Sequence, residues 1–272
     1  MAMPAQQHAK KILSYYNNPA ITAYYDRQQY ITRCEQLLFS TYIKPGLHIL
    51  DIGVGGGRTS EYLARNASRY VGIDYASEMV NVCRRKYPQW EYFESSATDL
   101  SRFQKGSFDV IVMSYNILDD LIPDENRWIC LRECHRVLRA GGFLIFSSHN
   151  PRSIIVRREN EGTKPHPAAL SLGLFGRASA SICKGLHYAA TVFAQVGASM
   201  LRALRYGFKR PFWTGEGYML DRENLMTHYW TPGKAIAELT RYGFRFITLQ
   251  GDDYPRASHP LVTDWYYYVF QR

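Results

Sequence analysis

Apolar positions recur along this chain in two different periods, and the alternation between them predicts the architecture. From Ile21 to Ile43, Tyr24, Tyr30, Ile31, Cys34, Leu37, Leu38 and Tyr42 fall at helical spacing, and Pro45-Gly46 stops the run. Short apolar stretches then alternate with amphipathic ones. "HILDIG" predicts a buried strand, Arg58 to Asn66 a helix, "YVGID" (Tyr70 to Asp74) a strand, and Ser77 to Tyr87 a helix capped by Ser77 and ended by Pro88. "WEYFESSATDL" supplies a third strand and its exit, and "FDVIVMSYN" (Phe108 to Asn116) a fourth. Asp124 to Leu138 is a helix closed by Gly141-Gly142, and "FLIFSSHN" (Phe143 to Asn150) is the fifth strand. Strands that are apolar throughout, separated by amphipathic helices, predict a doubly wound, mostly parallel α/β sheet covered on both faces.

The alternation stops between residues 151 and 230 and then resumes. Pro232 to Tyr242 predicts a helix ending at Gly243, "FRFITLQ" a strand, and "WYYYVFQR" another beyond the turn-rich "GDDYPRASHP". The last two are expected as a terminal antiparallel pair at the sheet edge, which brings the count to seven strands. Three parts follow: a helical cap over residues 1–44, a core of residues 45–150 and 231–272, and a helical insertion over 151–230 that serves as a lid.

The exit of the first strand carries the candidate chemistry. In an open α/β sheet a ligand sits beyond the carboxyl ends of the strands where their order reverses, and "ILDIGVGGGRTS" lies there. A dinucleotide site needs G-x-G-x-x-G with the pyrophosphate on a helix N-terminus. Counting from Gly53 puts Arg58 at the third glycine, and counting from Gly55 puts Ser60 there, so that fingerprint fails and a nicotinamide oxidoreductase is disfavoured. An acid two residues before the first glycine also suits a cationic ligand better than a phosphate.

The pattern Asp51-x-Gly53-x-Gly55-x-Gly57 resembles motif I of the class I methyltransferases that use S-adenosylmethionine. Further checkpoints agree: Asp74 ends the second strand, "SATDL" contains Thr98 and Asp99, and "LRECHRVLRAGGFLIFSS" resembles the helix, glycine turn and fifth strand that follow in that family. The resemblance covers roughly residues 45 to 150, with weaker agreement over 231 to 272. It implies a Rossmann-like seven-stranded fold and S-adenosylmethionine as cofactor. It implies Asp51, Gly53, Gly55 and Gly57 in the cradle, Asp74 on the ribose hydroxyls, and Thr98 and Asp99 at the adenine. Tyr75, Ser114 and Tyr115 are expected to line the same site. Met79 packs either on the adenine or on the sheet. The pairs Tyr15-Tyr16 and Tyr24-Tyr25 either close over the cofactor or simply pack.

The methyl acceptor's pocket is expected from the exits of strands four and five and from the insertion. His149 is the best-placed candidate base, with Tyr115 as a further catalytic candidate and Asn116, His228 and Tyr229 as further acceptor residues; a structural hydrogen-bonding role for His149 stays open. Ser114-Tyr115-Asn116-Ile117 stands where amide and nucleobase amino N-methyltransferases carry an Asn-Pro-Pro-Tyr type motif, which disfavours those. The expected acceptor is an oxygen or nitrogen of a small molecule or of a glycan or lipid-linked intermediate. A binding protein that keeps the cofactor but lacks turnover is the alternative, as is an RNA-directed enzyme.

Charge bears on that choice. The net charge is +9, and residues 151–210 hold ten basic side chains against two acidic ones, so nearly all of the excess lies in the insertion. The charges flank an uncharged run from Gly185 to Leu201 and do not cluster with stacking aromatics, which disfavours nucleic acid and leaves a solvated cap or a lid leaning on an anionic membrane surface. That run contains a His, a Gln and two Gly, and is short and polar for a membrane span. Five cysteines without metal-ligand spacing point to a reducing compartment and give no metal site, with Cys130, Cys134 and His135 expected as buried helix face. With no signal-like apolar run at the N-terminus, the expected location is cytoplasmic, membrane-peripheral if the lid leans on lipid.

Overall fold

The glycine turn sits at the centre of a seven-stranded sheet in the structure, a computed structural model that describes residues 5–153, 215–220, 225–261 and 263–272. Three helices precede the sheet: α1 (Ala5–Tyr16), α2 (Pro19–Asp26) and α3 (Arg33–Tyr42). Then come β1 (His48–Ile52), α4 (Ser60–Ala64), β2 (Arg69–Asp74), α5 (Ser77–Lys86), β3 (Glu91–Glu94), β4 (Phe108–Met113), α6 (Asp124–Val137) and β5 (Leu138–His149). The chain closes with β6 (Glu216–Leu220), β7 (Met226–Trp230), α7 (Pro232–Arg241), β8 (Arg245–Gly251) and β9 (Trp265–Gln271).

The sheet order is β3-β2-β1-β4-β5-β9-β8, with β1 parallel to both β2 and β4. Strand order therefore reverses between β1 and β4, and their exits open the crevice in which such folds bind ligands. The period of two along each strand sorts the core into two layers. Leu50, Ile111, Leu144 and Tyr268 face α6 and α7, while Ile49, Val110, Ile145 and Tyr267 face α3, α4 and α5. Because Cys34, Leu38 and Phe39 of α3 belong to the second layer, that helix is part of the sheet's cover.

The last two strands form the expected antiparallel pair at the sheet edge: β9 lies between β5 and β8, antiparallel to both, and β8 is the edge strand. The aromatic run of β9 is then buried on both faces, Tyr266 to Phe270 being at most 4% exposed. Two other sequence expectations change. The single helix over Ile21–Ile43 is two helices. Thr32 ends the intervening loop with a capping box: its Oγ1 accepts the Glu35 N–H at 3.1 Å, and Glu35 Oε2 accepts the Thr32 N–H at 2.9 Å. The end of the insertion is not helical either, because β6 and β7 form an antiparallel hairpin. Residues 154–214, with the uncharged run and most of the basic charge, lie outside the described residues. No helix among the described residues is long and apolar enough to cross a membrane.

Candidate functional site

Four glycines follow β1, and they do two different things. The backbone is left-handed at Gly53, Gly55 and Gly57. A Cβ on Gly55 would meet only Tyr25 Cδ1, at 3.8 Å, so this residue leaves an open cradle between β1 and α4. A Cβ on Gly56 would stand 2.3 Å from the Tyr25 carbonyl oxygen, so this glycine exists to admit the end of α2. Lys86 Nζ completes that joint by donating to Gly56 O at 3.1 Å and to the Asp26 carbonyl.

Two buried carboxylates flank the cradle. Asp74, at the end of β2, accepts the Gly55 N–H on Oδ2 and the Ala76 N–H on Oδ1, both at 2.9 Å. The Ala76 bond replaces the Ser77 cap expected for α5, whose N-cap is Ala76 with no side-chain bond of its own. Burial pushes the Asp74 carboxyl up to about 6, with the backbone N–H groups of Ala76, Gly55 and Tyr75 opposing. Asp51 Oδ2 accepts the hydroxyls of Thr59 and Tyr70, each at 2.8 Å, and burial raises its carboxyl to about 6 as well. Next to Asp74, the buried Tyr75 hydroxyl has no hydrogen-bond partner among the described residues, and neither has Ser114 Oγ at the exit of β4. Tyr16 packs on both Tyr75 and Tyr25, at 6.4 and 5.7 Å between ring centroids, which brings the N-terminal tyrosines to the β2 exit. Met79 is buried on α5. Beyond β3, Thr98 N–H donates to Ser96 Oγ at 3.1 Å, and the exposed Asp99 accepts the Ser101 N–H at 3.1 Å.

Arg58, read from sequence only for the fingerprint it breaks, fastens the turn to the N-terminal helices. Its guanidinium grips Glu35 of α3 with Nη2 to Oε1 at 2.5 Å and Nη1 to Oε2 at 2.7 Å, and Nη1 also donates to the Tyr30 carbonyl at 2.9 Å. The same group lies 4.5 Å over the Tyr115 ring. Burial alone would push the Glu35 carboxyl up, but the Arg58 guanidinium beside it holds it below the usual carboxylate range. Tyr115 and Asn116 both adopt left-handed backbone, φ 58° and 49°, which costs a non-glycine residue about 1–3 kcal/mol. Two contacts hold them there: the Tyr115 N–H donates to Ser147 Oγ, and Trp265 Nε1 donates to Asn116 Oδ1, each at 2.8 Å.

That reversal folds residues 117–121 back over the end of β5 and brings Asp119 against His149. Asp119, fully buried, receives the Ser148 hydroxyl on Oδ1 at 2.5 Å, and the His149 N–H and ring Nδ1 on Oδ2 at 2.9 and 2.8 Å. The imidazole packs against Tyr229 and Trp265, 4.6 and 4.7 Å away by ring centroid. Neighbouring residues of a strand face opposite ways, so His228 does not join Tyr229 at this wall. It is buried beneath the hairpin, with Nε2 at 3.2 Å from Glu216 Oε1. His149, Tyr115, Asn116 and Tyr229 are thus brought together and His228 is not. Asp119, Trp265 and the Arg58–Glu35 pair were missed, because each acts through a contact distant in sequence.

The comparisons with known proteins bear on this geometry. Residues 50–146 match the family described as "Methyltransferase domain". A ubiquinone biosynthesis O-methyltransferase of Xanthomonas campestris pv. campestris (strain B100) is 36% identical over 110 residues, 39% of this chain and 44% of that protein. An uncharacterized methyltransferase of Synechocystis sp. is 31% identical over 134 residues, 49% of this chain and 58% of its own. The chain thus spans about half the length of these curated relatives. Among solved structures, the 1,6-didemethyltoxoflavin-N1-methyltransferase of Burkholderia thailandensis, with bound 1,6-didemethyltoxoflavin and S-adenosylhomocysteine, aligns with a TM-score of 0.59 at 13% identity, covering 100% of this chain and 92% of that one. A SAM-dependent methyltransferase from Methanosarcina mazei aligns with a TM-score of 0.57 at 18% identity, over 86% and 96% of the two chains. At those identities the likeness is one of fold. The sheet order and the family match together mark residues 50–146 as a methyltransferase domain with the Rossmann-like fold of the class I S-adenosylmethionine-dependent methyltransferases.

Proposed function

We propose that the chain binds S-adenosylmethionine at the β1–β2–β4 exits and transfers its methyl group to a small-molecule acceptor, a hydroxyl oxygen first among the candidates. The observation that carries the reading is the Asp74 carboxylate, buried beside the open cradle of Gly55 and the unpartnered hydroxyls of Tyr75 and Ser114. The cradle and these groups fit a polar nucleoside. An ionised Asp74 is acceptor-only, and beyond its backbone N–H bonds it keeps lone-pair capacity with which to accept from a ribose hydroxyl. Tyr75 and Ser114 supply buried hydrogen-bonding groups that the fold itself leaves unused. Thr98 and Asp99 stand at the neighbouring strand exit, where the adenine would be held.

Bound there, the cofactor would supply a methyl carbon activated by its sulfonium, open to attack by an acceptor lone pair with the carbon–sulfur electron pair left on a neutral thioether. The chain's own residues place the acceptor and manage its proton. His149 Nε2 takes the hydroxyl proton, Tyr229 and Trp265 hold the ring, and Tyr115 and Asn116 line the side of the site where acceptor and cofactor would meet. The base favours oxygen, because a hydroxyl is a weak nucleophile until its proton is drawn away, whereas a neutral amine already presents its lone pair. The O-methyltransferase name of the Xanthomonas relative supports the same choice.

Incubation with S-adenosylmethionine carrying a deuterated methyl group and a metabolite extract, followed by mass spectrometry, tests the transfer. The expected result is a labelled small molecule formed together with S-adenosylhomocysteine. Label found only on RNA or protein would contradict it.

A further inference from the structure

We propose that Asp119 is the positioning residue of the acceptor site: its carboxylate fixes His149 in the one tautomer that can accept a proton on Nε2. The inference rests on the methyl-transfer reading above and deepens it. An ionised carboxylate has no proton to give, so the 2.8 Å contact between Asp119 Oδ2 and His149 Nδ1 requires the proton on Nδ1. In a neutral imidazole Nε2 is then the acceptor nitrogen. Among the described residues no hydrogen bond reaches it, and the His149 side chain keeps 14% of its surface exposed, while Asp119 has none.

The geometry holds the ring more firmly than strand capping needs. Oδ2 binds the His149 backbone N–H and its own ring, while Oδ1 is held by Ser148 Oγ, so the carboxylate cannot swing away from the imidazole. Tyr229 and Trp265 pack against the ring, 4.6 and 4.7 Å away by centroid, and limit its freedom to turn. The main chain of Asp119 acts on the same wall, since its carbonyl accepts the His228 N–H at 2.8 Å and so sets the hairpin strand that carries Tyr229. When the acceptor's proton reaches Nε2, the imidazolium keeps its Nδ1–H on Asp119, and the neutral contact becomes a charge-assisted one, roughly twice as strong. No proton passes to the carboxylate.

The full chain labelled with ¹⁵N-histidine tests this by long-range ¹H–¹⁵N correlation near pH 8, with the His149 signals assigned by their loss in His149→Gln. The wild type is expected to show a protonated Nδ1 and an unprotonated Nε2 at His149. In Asp119→Ala no carboxylate accepts from Nδ1, and the proton is expected to be no longer confined to Nδ1 and to appear on Nε2. A wild-type proton on Nε2, or a proton still confined to Nδ1 in Asp119→Ala, overturns the proposal. Should Asp119→Ala fail to fold, the wild-type spectrum alone decides. Calorimetry with S-adenosylhomocysteine on the same samples keeps the two readings apart: binding within about twofold of wild type in Asp119→Ala leaves the cofactor site intact, and absent binding in the wild type defeats the methyl-transfer reading whatever the tautomer.

Discussion

Arg58 and Glu35 form a two-pronged ion pair, 2.5 and 2.7 Å, that fastens α3 to the first turn after the glycines and sets a guanidinium under the Tyr115 ring. Glu35 is fully buried and also accepts the Tyr267 hydroxyl at 2.9 Å, so helix, glycine turn and β9 meet on one carboxylate.

Removing one partner strands the other in a dry site. Arg58→Met is expected to lower stability by about 3–5 kcal/mol, and the paired change Arg58→Met with Glu35→Leu to recover much of that loss. Urea unfolding of the two single variants and the double variant checks this. Additive losses would contradict it.

The neighbouring glycines Gly55 and Gly56 separate ligand binding from folding. Gly55→Ala strains a left-handed position by about 1–2 kcal/mol and puts a methyl into the cradle, so cofactor affinity is expected to fall at least tenfold in a folded protein. Gly56→Ala drives a Cβ into the Tyr25 carbonyl and is expected to loosen α2 and to unfold at lower temperature than Gly55→Ala. Thermal melts and ligand titrations of both variants check the contrast.

Buried Asp74 and Asp51, each raised to about 6, give opposite pH trends for stability and for binding. An unfolded aspartate titrates near about 3.9, so between the two values the folded chain holds protons that the unfolded chain has released. Their contribution to stability is therefore greatest at the acid end of that window and is lost as pH rises through about 6. In the proposed site Asp74 accepts the ribose hydroxyls when ionised, so affinity is expected to rise about tenfold per pH unit up to about 6 and to level off above it. Calorimetry with S-adenosylhomocysteine between about pH 5 and 8 reads this out, and Asp74→Asn should flatten the slope.

Much of this was legible in the sequence, and what was hidden shares a cause. The runs at Ile49, Val71, Val110 and Leu144 predicted the parallel core because a strand covered on both faces is apolar at every position. The position of β9 between β5 and β8 was not legible, since periodicity fixes which faces are buried and leaves neighbours undetermined. The break at Thr32 lay under a continuous helical pattern, although Thr32 and Glu35 at capping-box spacing were a signal for it. The hairpin of β6 and β7 is two short strands whose alternation was submerged in a longer basic segment. Asp119 meets His149 across 30 residues, and only the left-handed turn at Tyr115 and Asn116 brings them together.

In the proposed reaction His149 and Asp74 serve separate steps, so their variants should separate in the assay. His149→Gln is expected to bind S-adenosylhomocysteine within about twofold of wild type while turnover of an identified acceptor falls by about 10²–10⁴. Stopped-time product assays beside calorimetry check this, and equal losses of binding and turnover would place His149 in the cofactor site.

Titration of the wild-type chain and of Asp74→Ala with S-adenosylmethionine and S-adenosylhomocysteine by calorimetry tests the central claim most directly. Binding in the micromolar range, weakened at least tenfold in Asp74→Ala, is the predicted result. Absence of binding by the wild type, or an affinity that Asp74→Ala leaves unchanged, would contradict it.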